Sequence, residues 1–320
     1  MEKISENTMD RLMLNLKMIK GSFVVPALMM LPAISGHAAE NGNYSFPAGA
    51  SLYLIGGFPP VPGNYLQVMA AHTDSSRLNN SKGDEIKGTD FDLKVNAATV
   101  RFFTVWDSHI FGADSFASEL IGTYAHAKNS MNTPDGHFSD SQDGLGDIII
   151  GPFLFQWDLG ENKNWHAVFA TDYVIPTGSY SKNRALNVSN NRFSIQPIVA
   201  LRYESPLGFE LGVEPRLSFN WKNQDTNYKT GTEVFVEYMA AYKIGQWKAG
   251  VSGYYADQLE EDELNGKKLN DSKTKGFGIG PTLQYQFPNH SVVIASWQKD
   301  IVAENKSENN NFYLTYMFKY

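Results

Sequence analysis

Eight ionisable residues occupy matching positions in four neighbouring stretches: Arg202; Glu210, Glu214 and Arg216; Glu233, Glu237 and Lys243; and Lys248. Within each stretch they are separated by even intervals. Alternate side chains of an extended chain share a face, so each set projects from one side of a strand. Opposite charges gathered on one face support two chemistries. They can line a polar passage and act on a passing ion with little screening. They can also neutralise one another in a closed interior, because an unpaired charge does not sit in a dry one. Both alternatives stay open here, and Arg202→Glu separates them. In a wet lumen the change shifts ion preference toward cations, the outcome expected here; in a closed core it orphans buried charge.

Other site chemistries are poorly served. A Ser-His-acid hydrolase needs its groups within hydrogen-bond reach. His166 and Asp172 share one strand face but lie about 20 Å apart at strand rise. His72, His109, His126, His137 and His290 lack metal-ligand spacing. The loop acids Asp135, Asp140, Asp143, Glu260, Glu261, Asp262 and Glu263 match no calcium-loop pattern. Gly144-Leu145-Gly146-Asp147 is followed by no helix, so it reads as a loop-to-strand turn and not a phosphate loop. No catalytic residue, metal site or cofactor is expected.

The elements that must position the eight charges are strands. Phe193, Ile195, Pro197, Val199, Leu201 and Tyr203 alternate with Ser194, Gln196, Ala200, Arg202 and Glu204. Phe209, Leu211, Val213, Pro215, Leu217, Phe219 and Trp221 alternate with Glu210, Gly212, Glu214, Arg216, Ser218 and Asn220. These strands run to roughly 11–13 residues, against about 5–6 in ordinary sheets and about 9–11 for a membrane-spanning strand. With Glu204 set opposite Gly208, Arg202 faces Glu210 and Pro197 lies opposite Pro215. A proline removes a ladder hydrogen bond, so a local bulge or a widened ladder is expected there.

Twelve such strands are expected, near 64–73, 96–106, 115–126, 147–158, 164–175, 192–204, 208–221, 232–243, 246–257, 275–287, 291–299 and 311–320. The connections between them alternate long and short without exception. A soluble sandwich has no reason to place every long loop at one end, whereas outer-membrane barrels have long extracellular loops and short periplasmic turns. On the apolar faces Trp165, Tyr203, Phe209, Tyr242, Trp247 and Tyr285 reach the short-turn end. Tyr173, Phe193, Trp221, Tyr255 and Phe277 reach the other, forming the two belts that lipid interfaces select. The chain ends on Phe312, Leu314, Tyr316, Phe318 and Tyr320 at every second position, the pattern of a closing strand. The fold expected is all-β: a transmembrane antiparallel up-and-down β-barrel of about twelve strands.

The chain has 320 residues, 42% hydrophobic, with no cysteine and a net charge of −7. The missing cysteines exclude disulfides, thiol nucleophiles and Cys-ligated zinc. The acidic balance argues against nucleic acid as a partner. Lys17 and Lys20 precede an apolar run, Gly21 to Leu31, and the small residues around Gly36 and Ala38, the layout of a secretory signal peptide. Residues 1–38 are expected to be that signal, cleaved after Ala38. Residues 39–63, rich in glycine and proline, form either an extended periplasmic leader or a segment tucked into the lumen. Residues 64–320 form the barrel.

Several motifs occur in order: Pro59-Pro60-Val61-Pro62-Gly63-Asn64-Tyr65; Gly144-Leu145-Gly146-Asp147 with Gly151-Pro152; Pro176-Thr177-Gly178-Ser179-Tyr180; and Phe219-Asn220 through Asn223, Thr226, Tyr228 and Gly231. Gly253-Tyr254-Tyr255 with Gln258 and Asp262, then Gly278-Ile279-Gly280-Pro281, follow. In these the chain resembles the outer-membrane barrel family named for the meta pathway of phenol degradation, best from about residue 140 to the end. The resemblance implies a barrel that passes aromatic or other hydrophobic compounds, and it brings no catalytic residues.

The reading is a channel for passive diffusion of small solutes in a Gram-negative outer membrane. Its expected partners are outer-membrane lipid, the barrel assembly machinery and a small-molecule solute. The competing readings are a closed structural barrel with partner-binding loops and an interfacial lipid hydrolase.

Overall fold

The structure is a computed structural model, and it describes Glu40, residues 44–134 and residues 136–320. The expected signal peptide and Asp135 lie outside the described residues. After a 3-10 turn at Leu52–Leu54 come sixteen strands: β1 Gly63–Ser75, β2 Asp90–Trp106, β3 Ser115–Thr133, β4 Gly136–Leu145, β5 Ile148–Leu159, β6 Trp165–Ile175, β7 Ser194–Glu204 and β8 Phe209–Asn220. They continue with β9 Tyr228–Lys229, β10 Glu233–Ile244, β11 Trp247–Gln258, β12 Glu263–Leu264, β13 Lys267–Lys268, β14 Lys275–Gln286, β15 Val292–Glu304 and β16 Asn310–Lys319.

Twelve of these close a ring. Each neighbours the next in chain order and is antiparallel to it, and β1 pairs with β16 to complete the circuit. Every ring strand has a partner on both sides, which removes the exposed edges an open sheet would present. The twelve expected strands all appear as ring members. β4 stands outside the ring: it pairs with the upper half of β3, whose lower half pairs with β5. The short pieces β9, β12 and β13 make a separate three-stranded sheet within the loops.

The alternation expected from sequence determines the faces. Outside, Trp165 lies 4.7 Å from Tyr203 and Trp247 lies 4.7 Å from Tyr285, centroid to centroid, at the short-turn end. Phe193 packs 5.0 Å from Trp221 and 6.5 Å from Tyr173 at the other. The inner faces carry the ionisable residues.

Three sequence expectations need correction. Glu204 pairs with Glu210, not Gly208, so Arg202 stands opposite Gly212. A four-residue turn causes the shift: Gly208 N–H donates to Ser205 O and Ser205 N–H to Phe209 O. Pro197 and Pro215 are consequently staggered. The β7–β8 ladder lacks pairs around both without slipping in register, which is the widened ladder expected there and not a bulge. The bulges lie elsewhere, at Ile150/Phe153 beside Pro152, at Ala117/Glu119, and at Phe277/Gly278. Finally, the last connection expected to be long is only 305–309, because β15 continues to Glu304.

Candidate functional site

The lumen is occupied by the chain itself. Residues 44–62 run inside the ring from the long-loop end to the short-turn end, where they enter β1. Glu40 accepts hydrogen bonds from Asn223 (2.8 Å) and Tyr180 (3.2 Å) in the long loops. At the far end Phe58 N–H donates to Gln156 at 2.7 Å, and Val61 O accepts the Tyr65 hydroxyl at 2.6 Å.

A segment with this much glycine and proline cannot form a strand of its own, so its backbone groups must find side-chain partners. The inward charges supply them. Glu233 accepts from the Ser45 hydroxyl and backbone N–H. Glu237 accepts the N–H groups of Gly49 and Ser51. Arg202 Nη1 donates to Tyr53 O at 3.3 Å. Leu52, Tyr53 and Ile55 are each 1% exposed and pack against Met69, Met239, Ile294 and Tyr313. Burying such side chains contributes about 1.5–3 kcal/mol each. Phe46 lies under the Arg216 guanidinium, 4.0 Å from it.

The charges that do not hold the segment hold one another. Glu210 bridges Arg202 (2.7 Å) and Lys248 (2.6 Å), and Glu204 takes the Arg202 Nε edge at 2.8 Å. Arg216 pairs with Asp172 at 2.7 Å and reaches Glu214 at 3.5 Å. All of these partners except Glu204 are buried or nearly so. Of the eight residues singled out from sequence, seven enter this network. Lys243 does not: it is exposed at the short-turn rim, paired in register with Lys248.

Sequence reasoning missed other members. Arg101 pairs with Glu119, and Lys306 with Asp300. Arg101 was legible in principle, because it alternates with Phe103 and Val105 on β2. Lys306 was not, since it reaches inward from a loop with no periodicity to betray it. His166, about 20 Å from Asp172 along the same strand face, bonds to Asp158 at 2.7 Å.

The order of motifs noted in the loops also acquires a physical reason. Asp147 accepts from Gly178 N–H (3.1 Å), Ser189 Oγ (2.5 Å) and Asn190 N–H (2.9 Å), stitching the β4–β5 junction to loop 176–193. Gly178 is required by contact: a Cβ there would lie 2.6 Å from the Gly146 carbonyl carbon. Asp262 accepts from the Tyr228 hydroxyl, Gly231 N–H and Gln258, tying two long loops together. Burial and the Asp262 carboxylate raise the Tyr228 phenol above its ordinary pKa, keeping it a neutral donor.

A family model and one solved structure agree with this architecture. None of the curated protein sequences matches the chain. Among solved structures, the COG4313 outer membrane channel from Pseudomonas putida F1 is similar over 82% of this chain and 97% of its own, at 16% identity and a TM-score of 0.73. The transport unit of the autotransporter AIDA-I from Escherichia coli follows at 13% identity over 82% and 91%, with a TM-score of 0.48. A FadL homologue from Pseudomonas aeruginosa has 10% identity over 89% and 99%, with a TM-score of 0.44. The family described as "Putative MetA-pathway of phenol degradation" matches residues 75–316. That match spans most of the chain and nearly all of the ring, so this protein belongs to the MetA-pathway phenol-degradation family of β-barrels.

Proposed function

We propose that the protein is an outer-membrane channel for passive diffusion of small apolar or aromatic solutes, held shut by residues 44–62. The carrying observation is the asymmetry of the lumen. From β6 round to β15 the inner wall is charged or packed, and its groups are engaged by the segment or by one another. On β1–β3 the inward residues Ala71, Ala97, Thr99, Ile121, Thr123 and Ala125 are uncharged and only half-buried. Pro47 is exposed although its neighbours Ser45 and Phe46 are buried inside the ring. An uncharged, water-accessible strip thus runs beside the segment, as passage of an apolar solute requires.

The segment adds no strand to the ring, so its release leaves every ring hydrogen bond in place. The long loops then face the exterior of a Gram-negative cell and the short turns the periplasm. Residues 1–38 act as the export signal, outer-membrane lipid surrounds the aromatic belts, and the assembly machinery inserts the barrel. The family resemblance and the COG4313 channel support the same reading.

The test is a reversible tether. The protein has no cysteine, and Ser45 Oγ lies 2.8 Å from Asn220 Oδ1. Ser45→Cys/Asn220→Cys, bridged by a short reducible bis-methanethiosulfonate, is expected to abolish single-channel openings in a planar bilayer until reductant restores them. Openings that persist in the bridged protein would show that the segment is not the gate. Absence of openings in every form would favour the closed structural barrel.

A further inference from the structure

The half-buried strip on β1–β3 ends on Arg101. In register, Gln67, Arg101 and Ile121 form one inner row; Met69, Thr99 and Thr123 form the next; Ala71, Ala97 and Ala125 the one after. Below Arg101 the way is closed: its guanidinium lies 4.6 Å over the Phe103 ring, and Phe103 meets Phe58 edge-on at 5.4 Å. The side chains of Arg202, Arg216, Lys248 and Lys306 are 4–9% exposed, whereas that of Arg101 is 24% exposed. Arg101 is therefore the cation that water, and a solute in the strip, can reach.

A guanidinium offers donors along two edges. Glu119 occupies the Nε edge of Arg101, and Gln67 Oε1 stands 3.4 Å from Nη1. Nη2 has no protein acceptor among the described residues. One donor end thus remains for a guest at the floor of an apolar strip.

Charge decides which guest. Arg101 and Arg216 stand among three carboxylates, Glu119, Asp172 and Glu214. The first two crowd each other: a Cβ on Gly151 would lie 2.6 Å from Asp172 Oδ1 and 2.7 Å from Glu119 Cγ. The two guanidinium groups are already matched by this cluster of acids, so an added anion finds no uncompensated cation and is repelled by the carboxylates, in surroundings where screening is weak. An uncharged acceptor meets no such repulsion.

We infer that Arg101 is the specificity-determining residue of a binding site at the floor of this strip, and that the ligand is a compact, uncharged apolar molecule bearing a hydrogen-bond acceptor such as a carbonyl oxygen. The inference deepens the channel reading and rests on it for its biological meaning. The apolar body lies against Ala97, Thr99, Ile121 and Ala125, and the acceptor meets Nη2.

The test reads occupancy without transport. Folded full-length protein is treated with phenylglyoxal, which adds to accessible guanidinium groups, and modification is followed at each arginine by mass spectrometry. Cyclohexanone is expected to slow modification of Arg101 several-fold and to leave the loop residues Arg77 and Arg184 unchanged. Cyclohexanecarboxylate at the same concentration is expected to protect less. Filling the strip with Ala97→Phe, or with Ala125→Leu should the first variant fail to fold, is expected to remove the difference that cyclohexanone makes. Equal or better protection by the carboxylate overturns the charge argument, and no protection by either compound overturns the site. The Ser45–Asn220 tether holds the segment in place, so protection is expected to persist when it is bridged. Openings that ignore the tether would remove the gate, and absence of openings in every form would remove the channel reading, while either leaves this result standing.

Discussion

Ser51 donates its backbone N–H to Oε2 of Glu237 at 2.7 Å, across 186 positions of sequence. The other oxygen of the same carboxylate takes the N–H of Gly49. One side chain on β10 thus satisfies two backbone donors of a segment that has no strand partner. Replacing Glu237 by Ala leaves both donors buried without acceptors, at about 1–3 kcal/mol each. The variant is expected to keep its heat-modifiable barrel band, to open more often in planar bilayers, and to expose Tyr53 to chymotrypsin. Unchanged conductance and protease resistance would show that this carboxylate does not hold the segment.

Arg202→Glu, expected from sequence to alter ion preference with little loss of stability, now has the opposite outlook. Arg202 is buried between Glu204 and Glu210, and a third acid there faces Lys248 alone. Breaking a buried pair costs about 3–5 kcal/mol, so the single variant should assemble poorly and lose heat-modifiability. The swapped pair Arg202→Glu/Glu210→Arg should recover part of it. Normal folding of the single variant would argue for a wetter lumen than this packing implies.

Asp147 holds loop 176–193 through three donors, two of them backbone N–H groups. Asp147→Ala should loosen that loop without disturbing the ring, since no ladder pair depends on it. The measurement is trypsin cleavage after Lys182 and Arg184 on intact cells, expected to quicken severalfold. Because Asn190 also donates to Tyr44 O at 3.1 Å, the outer end of the lumenal segment should become chymotrypsin-sensitive in the same variant.

Deleting Tyr316 to Tyr320 removes the pairs Tyr65–Lys319, Leu66–Phe318, Gln67–Met317 and Val68–Tyr316 that close the ring. The truncated chain should be exported yet remain protease-sensitive and lack a heat-modifiable form. Normal assembly would mean that the remaining β1–β16 pairs suffice for closure.

The ring itself was legible in the sequence. A strand repeats every two residues, so Phe209 to Trp221 declares which side meets lipid without reference to any other part of the chain, and the alternation of connection lengths declares which end is which. The inward charges Arg202, Glu210, Glu214, Arg216, Glu233, Glu237 and Lys248 were found by the same periodicity. What they do was not, because parity tells which way a side chain points and not what it meets. Only the tertiary structure brings Ser45, Gly49 and Ser51 to Glu233 and Glu237, contacts spanning 186–188 positions. A Gly/Pro-rich stretch has no periodicity of its own, and the choice between a periplasmic leader and a lumenal segment depends on partners supplied by strands far along the chain. The register of β7 against β8 escaped for a related reason: two prolines and a short turn admit more than one offset of even parity, and the hydrogen bonds of the four-residue turn select one.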